Sequence, residues 1–323
     1  MTAYLIRRLI SLFFVMLVVS FVVFILMNLV PGGPFSLGER GYTPEAYQNM
    51  LRKYGLDKPV LERYVNFVID ALRLDFGYSF AVAGNPPVTE VIARTWPVTL
   101  HLGLYVLAIA FGFGLTLGII AAYHRNSWID NLVTFIATLG ITVPNFVFAT
   151  WFLLIFGYQI GWGKPSEWII GPIFGKGPAI LSRDYFLPVI TYALAPLAVV
   201  ARYTRASVAD ALNADYVRTA RAKGLRERTV ARRHVLRNAL IPMITVLLPR
   251  VPDILTGSLF IEVVYGVPGM GKFFVTSIFN RDYPMIMALV LLIALLWGMT
   301  YMITDVLYTW VDPRVRLGSA RSV

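Results

Sequence analysis

The chain of 323 residues contains no cysteine. Disulfides, thiolate metal sites and cysteine nucleophiles are thereby excluded. Histidine is almost as scarce. His101, His124 and His234 stand singly, and no two have the spacing of a metal site. No paired metal or catalytic signature occurs elsewhere. Charge is thin too: Asp, Glu, Lys and Arg make up 15% of the residues, where soluble domains carry about 25%. What fills the chain instead is apolar. Hydrophobic residues are 57% of it, and they are bunched.

Leu9 to Val30 holds 22 residues without a charge. At about 1.5 Å per residue, such a helix covers roughly 33 Å, enough for a bilayer core. Comparable runs are Val98 to Tyr123, Leu132 to Trp162, Tyr185 to Val200, a weaker Leu240 to Ile261, and Met285 to Ile303. Six spans are expected, and with them an all-α membrane protein. Leu9 to Val30 follows Arg7 and Arg8, as a secretory signal would. It is longer than a signal core and runs into Pro31-Gly32-Gly33-Pro34, so it reads as a retained first helix.

GVPGMGKF, Gly266 to Phe273, is one residue from the phosphate-cradling pattern G-x-x-x-x-G-K-[ST]. That pattern needs a hydroxyl after the lysine to hold magnesium, and Phe273 has none. Gly266, Pro268, Gly269 and Gly271 are all breakers, so an ordinary turn between two segments is the better account.

The net charge of +11 could point to nucleic acid, but in a chain of spans basic residues mark the cytoplasmic side. Residues 31–97 carry seven basic and seven acidic residues and give no direction, because long loops cross regardless of charge. Arg202 to Arg237 carries ten basic residues against Asp210, Asp215 and Glu227. The N-terminus has Arg7 and Arg8, the C-terminus Arg314, Arg316 and Arg321, and the loop after the second span Arg125. This places both termini and the 202–240 loop in the cytoplasm. The GVPGMGKF loop then faces outward, away from cytosolic nucleotide.

The implied organisation is a tail and first span (1–30), a small external helical domain (31–97), a membrane core (98–309) with a cytoplasmic loop at 202–240, and a cytoplasmic tail (310–323). In the external domain, Thr43-Pro44-Glu45 starts a helix that Gly55 stops, and Asp57-Lys58-Pro59 opens a second carrying Val60, Tyr64, Phe67, Val68 and Leu72. Ala81 to Pro87 is a turn, and Gly161 to Asp184 an irregular second outer loop. Gly103, Gly112, Gly114 and Gly118 give the second span a small-residue face. Pro144 with Asn145, Pro188, Pro196, Pro242, Pro249 and Pro252 interrupt later spans, which fits kinked packing or a lined cavity. Arg250 and Asp253 lie three residues apart in the fifth span and can pair, either as a buried stabilising contact or along a pathway. Thr245, Thr256 and Ser258 add polar groups there.

NADYVRTARAKG, Asn213 to Gly224, reads as a short isolated helix. Asn213 suits the cap, Asp215 the first turn, Arg218, Arg221 and Lys223 the last turns, and Gly224 a left-handed stop. Val217 and Ala220 share a face. A second basic helix, Arg226 to Asn238, leads back to the membrane. A rigid knob fitting a partner's groove is expected.

YVRTARAKGL followed by RNALIP resembles the coupling loop of ABC-transporter permeases, specifically the oligopeptide/dipeptide importer family. The general signature there is Glu-Ala-Ala, three residues, then Gly. Arg218, Thr219 and Ala220 occupy the first three places and Gly224 the last. The glutamate is absent and the downstream proline is displaced to Pro242, both as in the peptide branch. IRRL…NLVPGGPF, LDFGYSF, PVTEVIARTWPVTL, LTGSLFIEVVYGVPGMGKFF, NRDYP and DVLYTWVDPRVR resemble family blocks in order, over nearly the whole chain.

The resemblance implies a type I importer permease fold with no catalytic residue. ATP and magnesium would bind only to partners. Those partners are two cytosolic ATPase subunits, a second homologous permease and an external peptide-binding protein, with membrane lipid around them and no nucleic acid. Asp215, Arg218, Thr219, Ala220, Arg221, Lys223 and Gly224 would form the ATPase-coupling element, and Arg250, Asp253, Thr256 and Ser258 a candidate pathway or gate. Rival readings are the same family carrying oligosaccharide or nickel chelate, an ion-driven carrier, which would favour inverted repeats, and a membrane enzyme, for which no catalytic cluster is visible.

Overall fold

The structure, a computed structural model, describes residues 2–31, 33–34, 43–161 and 183–311. The expected outer loop 161–184 and the C-terminal tail lie almost wholly outside the described residues. Fourteen helices follow one another among the described residues: α1 (Thr2–Leu29), α2 (Pro44–Lys53), α3 (Val60–Leu72), α4 (Val88–Tyr123), α5 (Trp128–Thr142), α6 (Asn145–Phe152), α7 (Arg183–Asn213), α8 (Asp215–Ala222), α9 (Glu227–Thr229), α10 (Arg237–Leu247), α11 (Arg250–Leu255), α12 (Leu259–Val264), α13 (Gly271–Phe279) and α14 (Tyr283–Val311). Wider π-helical turns extend α6 over Leu153–Gln159 and join α9 to α10 over Val230–Leu236. Among the described residues there is no strand, only a bridge between Tyr78 and Pro87.

Four helices, Tyr4–Leu29, Val88–Tyr123, Phe186–Asn213 and Tyr283–Trp310, are each long and apolar enough to cross a bilayer. Two helix pairs pass the same test only together, each bent at a short break: Trp128–Thr142 with Asn145–Gln159 by 99°, and Glu227–Leu247 with Arg250–Val264 by 49°, which allows up to six crossings. Proline chemistry accounts for the difference. Val143 ahead of Pro144 is driven to extended backbone (φ −83, ψ 123), the usual outcome before proline, and the chain turns sharply. Leu248 ahead of Pro249 keeps helical angles, so that break is milder. Pro97, Pro188, Pro196 and Pro242 lie inside helices without ending them. Pro97, where the sequence closes the first loop, therefore falls within α4.

The core is built on α4 and α7. An ideal Cβ on Gly114 would lie 2.7 Å from Val200 Cβ, and one on Gly118 2.6 Å from the Ala201 carbonyl oxygen. The two helices thus touch through their backbones, which only glycine permits. Gly140 on α5 meets Ala198 in the same way, and Gly103 meets the Ile254 carbonyl. Gly112 faces open space, so it is not part of the packing face. Partners rise in step, 114 with 200 and 118 with 201 and 204, so α4 and α7 run parallel. At one end of this pair Leu102, Leu187, Tyr192, Ile261 and Tyr265 form a buried cluster; at the other, Val200, Val208, Val217, Ala220, Val230 and Val235 do.

The first and last spans pack together at the edge. Tyr4 donates to Asp305 Oδ2 at 2.5 Å, and Arg8 pairs with the same carboxylate at 2.5 Å. α3 lies on α1, where the Tyr64 hydroxyl donates to the Leu17 carbonyl at 2.8 Å and Phe24 packs edge-on against the Tyr64 ring. Both glycine stops expected in sequence carry positive φ, 63° at Gly55 and 75° at Gly224.

Candidate functional site

The α8 helix is shorter than its sequence suggests. α7 runs on through Asn213, whose amide donates to the Ala209 carbonyl at 2.9 Å instead of capping the next helix. Ala214 takes the cap position with no side-chain bond, and α8 spans eight residues, about two turns rather than three. Its end is well made. The Leu225 amide donates to Ala220 O at 3.3 Å and the Gly224 amide to Arg221 O at 2.9 Å, the paired closure of a Schellman stop. Thr219 Oγ1 donates to Asp215 O, and Arg218 lies 3.6 Å from Asp215. Arg221 reaches forward to Glu227, Nε to Oε1 at 2.7 Å and Nη2 to Oε2 at 3.2 Å. That pair staples α8 to α9.

The apolar face has a different use from the one expected. Val217 and Ala220 are buried against Val230, Val235 and α7. They hold the knob to its own protein. The surface left for a partner is the opposite face, with Tyr216, Arg218, Thr219, Arg221 and Lys223 exposed. Of the sequence-predicted coupling residues, Asp215, Arg218, Thr219, Arg221, Lys223 and Gly224 lie open on this element, and Ala220 is its anchor.

Arg250 and Asp253 do pair, at 3.9 Å, but both side chains are about half exposed (53% and 49%). In this chain taken by itself the pair is thus not enclosed. Thr256 and Ser258 serve their own backbone: Thr256 Oγ1 donates to Asp253 O, and Ser258 Oγ accepts from the Ile261 amide at the start of α12. Arg250, Asp253 and Thr256 are thus linked along α11, while Ser258 serves the start of the next helix.

Sequence reasoning passed over the most enclosed acidic group in the fifth span. Glu262 on α12 is 1% exposed. Thr99 on α4 donates its hydroxyl to Glu262 Oε1 at 2.8 Å, and the Met270 amide donates to Thr99 Oγ1 at 2.7 Å. Three glycines enclose the carboxylate: a Cβ on Gly257, Gly269 or Gly271 would lie 2.5, 2.6 or 2.8 Å from its atoms. The amides of Gly271 and Lys272 face it, although Oε2 closes no hydrogen bond. The GVPGMGKF turn thus wraps a carboxylate of its own chain. It follows a helix instead of a strand, a second departure from a nucleotide site. A lone carboxylate in an otherwise charge-poor run was the signal available in sequence.

Thr99 and Gly118 are 19 residues apart on one helix, about 28 Å. The glycine turn and α8 therefore occupy opposite ends of the α4–α7 pair. Among the described residues no group of three or more His, Asp or Glu side chains could hold a metal ion.

Residues 114–317 match the family described as binding-protein-dependent transport system inner membrane component, and residues 1–103 match its N-terminal companion. The chain is 37% identical over 317 residues to the dipeptide transport system permease protein DppB of Bacillus subtilis, covering 98% of this chain and 99% of that one. It is 38% identical over 293 residues to the oligopeptide transport system permease protein OppB of Haemophilus influenzae, covering 91% and 92%. Its fold resembles a chain of the MetNI methionine ABC transporter in an inward-facing conformation, with a TM-score of 0.52 and 16% identity over 69% of this chain and 97% of that one. On the full-length match and the shared helical fold, the chain belongs to the binding-protein-dependent transport system inner membrane component family.

Proposed function

We propose that this chain is one of two homologous membrane-spanning subunits of an ATP-driven importer for di- and oligopeptides. The observation that carries the cargo class is the 37% and 38% identity, across at least nine-tenths of each chain, to permeases named for dipeptide and oligopeptide transport. In this reading two cytosolic subunits bind ATP with its magnesium and hydrolyse it, and an external binding protein delivers peptide. This chain performs no chemistry and binds no nucleic acid. Both termini and α8 face the cytoplasm; the glycine turn faces outward.

The exposed face of α8 fits a groove in one ATPase subunit. Its two-turn length, Schellman closure and Arg221–Glu227 staple keep it stiff. A stiff element passes displacement on, where a loose loop would absorb it. Displacement enters α7 through the single residue Ala214 and reaches α4 through the glycine contacts. Transport then requires that inward- and outward-open arrangements differ by only a few kcal/mol and that ATP binding favours one of them.

The test is reconstitution with the second permease, the ATPases and the binding protein. ATP-dependent accumulation of a labelled peptide, competed by unlabelled peptides, is expected. Accumulation competed instead by an oligosaccharide or a nickel chelate would transfer the cargo. Uptake by this chain without ATPase subunits would overturn the reading.

A further inference from the structure

The α4–α7 pair has a second end. There, one side chain brings α4 against the continuous stretch 257–271. Glu262 grows from α12, accepts from Thr99 on α4, and is enclosed by Gly257 before α12 and by Gly269 and Gly271 in the turn leading to α13. Thr99 is itself held from the other side by the Met270 amide. Replacement of any of the three glycines by a residue with a Cβ would strike the carboxylate. The enclosure is therefore shaped closely around a carboxyl group, which only residues without a Cβ allow.

We propose that Glu262 is a positioning residue that clamps the 266–271 turn to the end of α4, so that α4 moves the turn and α12 with it during transport. The chemistry favours a clamp over simple filling. The Thr99 hydroxyl donates to Oε1, and the amides of Gly271 and Lys272 face the group without closing a hydrogen bond to Oε2, so the surroundings offer donors to a group rich in acceptors. Carboxamide at the same position would keep the Thr99 bond and turn an N–H2 group toward those amides. Packing would be preserved and the clamp would be opposed. The mechanical link runs from α8 through α7, the Gly114 and Gly118 contacts, α4 and Thr99 to Glu262. This inference rests on the transport reading above.

The absence of native cysteine permits a direct test in the assembled transporter. Val267 in the turn is 3% exposed, so Val267→Cys supplies a protected reporter. Its reaction with a bulky hydrophilic maleimide is measured in otherwise parental, Glu262→Gln, Thr99→Val and Thr99→Ser backgrounds, alongside ATP hydrolysis and peptide uptake. Slow labelling is expected in the parent and in Thr99→Ser, which keeps the hydroxyl. Labelling at least ten-fold faster is expected for Glu262→Gln and about three-fold faster for Thr99→Val. Both should co-purify with the ATPases and hydrolyse ATP within two-fold of the parent while peptide moved per ATP falls at least five-fold. Equal labelling in parent and Glu262→Gln overturns the clamp. Faster labelling with unchanged peptide per ATP overturns its part in transport. Failure of Glu262→Gln to assemble, with Thr99→Val assembled and fully coupled, assigns the carboxylate to folding and overturns the proposal. Failure of the transport reading would show separately, as uptake in the parent that needs no ATPase, and would leave the labelling comparison readable.

Discussion

Arg205 on α7 grips Asp130 in the first turn of α5 with two hydrogen bonds, Nε to Oδ1 at 2.5 Å and Nη2 to Oδ2 at 2.7 Å. The Asn126 amide adds a third at 3.0 Å. The partners differ in burial: Asp130 is 2% exposed and Arg205 31%. Removing one partner from a buried pair costs about 3–5 kcal/mol, because the other charge is stranded. Arg205→Ala strands a fully enclosed carboxylate. Asp130→Ala strands a guanidinium that can reach water. Arg205→Ala is therefore expected to lower the thermal unfolding midpoint of the purified transporter more than Asp130→Ala. Equal shifts would sink the assignment of the cost to the carboxylate.

Gly224 has φ of 75° at the end of α8. A left-handed residue with a Cβ costs about 1–2 kcal/mol, more if β-branched, while asparagine tolerates the region. Gly224→Val should leave the protein in the membrane and abolish uptake; Gly224→Asn should retain most of it. Transport by Gly224→Val at the parental rate would remove the coupling role from this helix. Uptake assays on membranes with matched protein content decide between them.

The α4–α7 contact is equally specific. At Gly118 the obstacle is the Ala201 carbonyl oxygen, which cannot rotate away as a side chain can. Gly118→Val is expected to destabilise the core by about 1–3 kcal/mol or more, as overpacking does. Gly112→Ala, facing open space, should be neutral or up to about 1 kcal/mol more stable. Yields of folded protein after detergent extraction, together with thermal midpoints, read both. Similar losses at the two positions would contradict the parallel packing.

Arg250 and Asp253 are half exposed and 3.9 Å apart, so their pairing should contribute no more than about 1 kcal/mol. Double neutralisation, Arg250→Gln with Asp253→Asn, is expected to leave the unfolding midpoint unchanged and to reduce peptide uptake several-fold. Unaltered uptake and ATPase coupling would show that these charges lie off the pathway.

The parts of this chain that could be read from its residues are those set by local chemistry. Gly55 and Gly224 stop helices because a positive φ is a one-residue requirement. Pro144 breaks a span because Val143 is confined by its neighbour. The hydrophobic runs foretell up to six crossings. What was hidden depends on pairings far along the chain. Thr99 and Glu262 are separated by 163 residues, and Asp130 and Arg205 by 75, and no period or cap connects them. Asn213 looked like a cap because its side chain suits one, but α7 continued through it and its amide bonded backward. The apolar face of α8 was visible as Val217 and Ala220; that it turns inward depends on Val230 and Val235, beyond the reach of a helix-by-helix reading.

The glycine turn near Lys272 also bears on how nucleotide sites are recognised from spacing. Its amides face a carboxylate only a few residues upstream in the same chain, held at an effective local concentration that a short tether sets in the millimolar range or above. A free phosphate would have to evict that resident and then leave it buried without its donors. A glycine-rich spacing can thus be filled from within its own chain, so the side chain that the turn encloses is as informative as the motif.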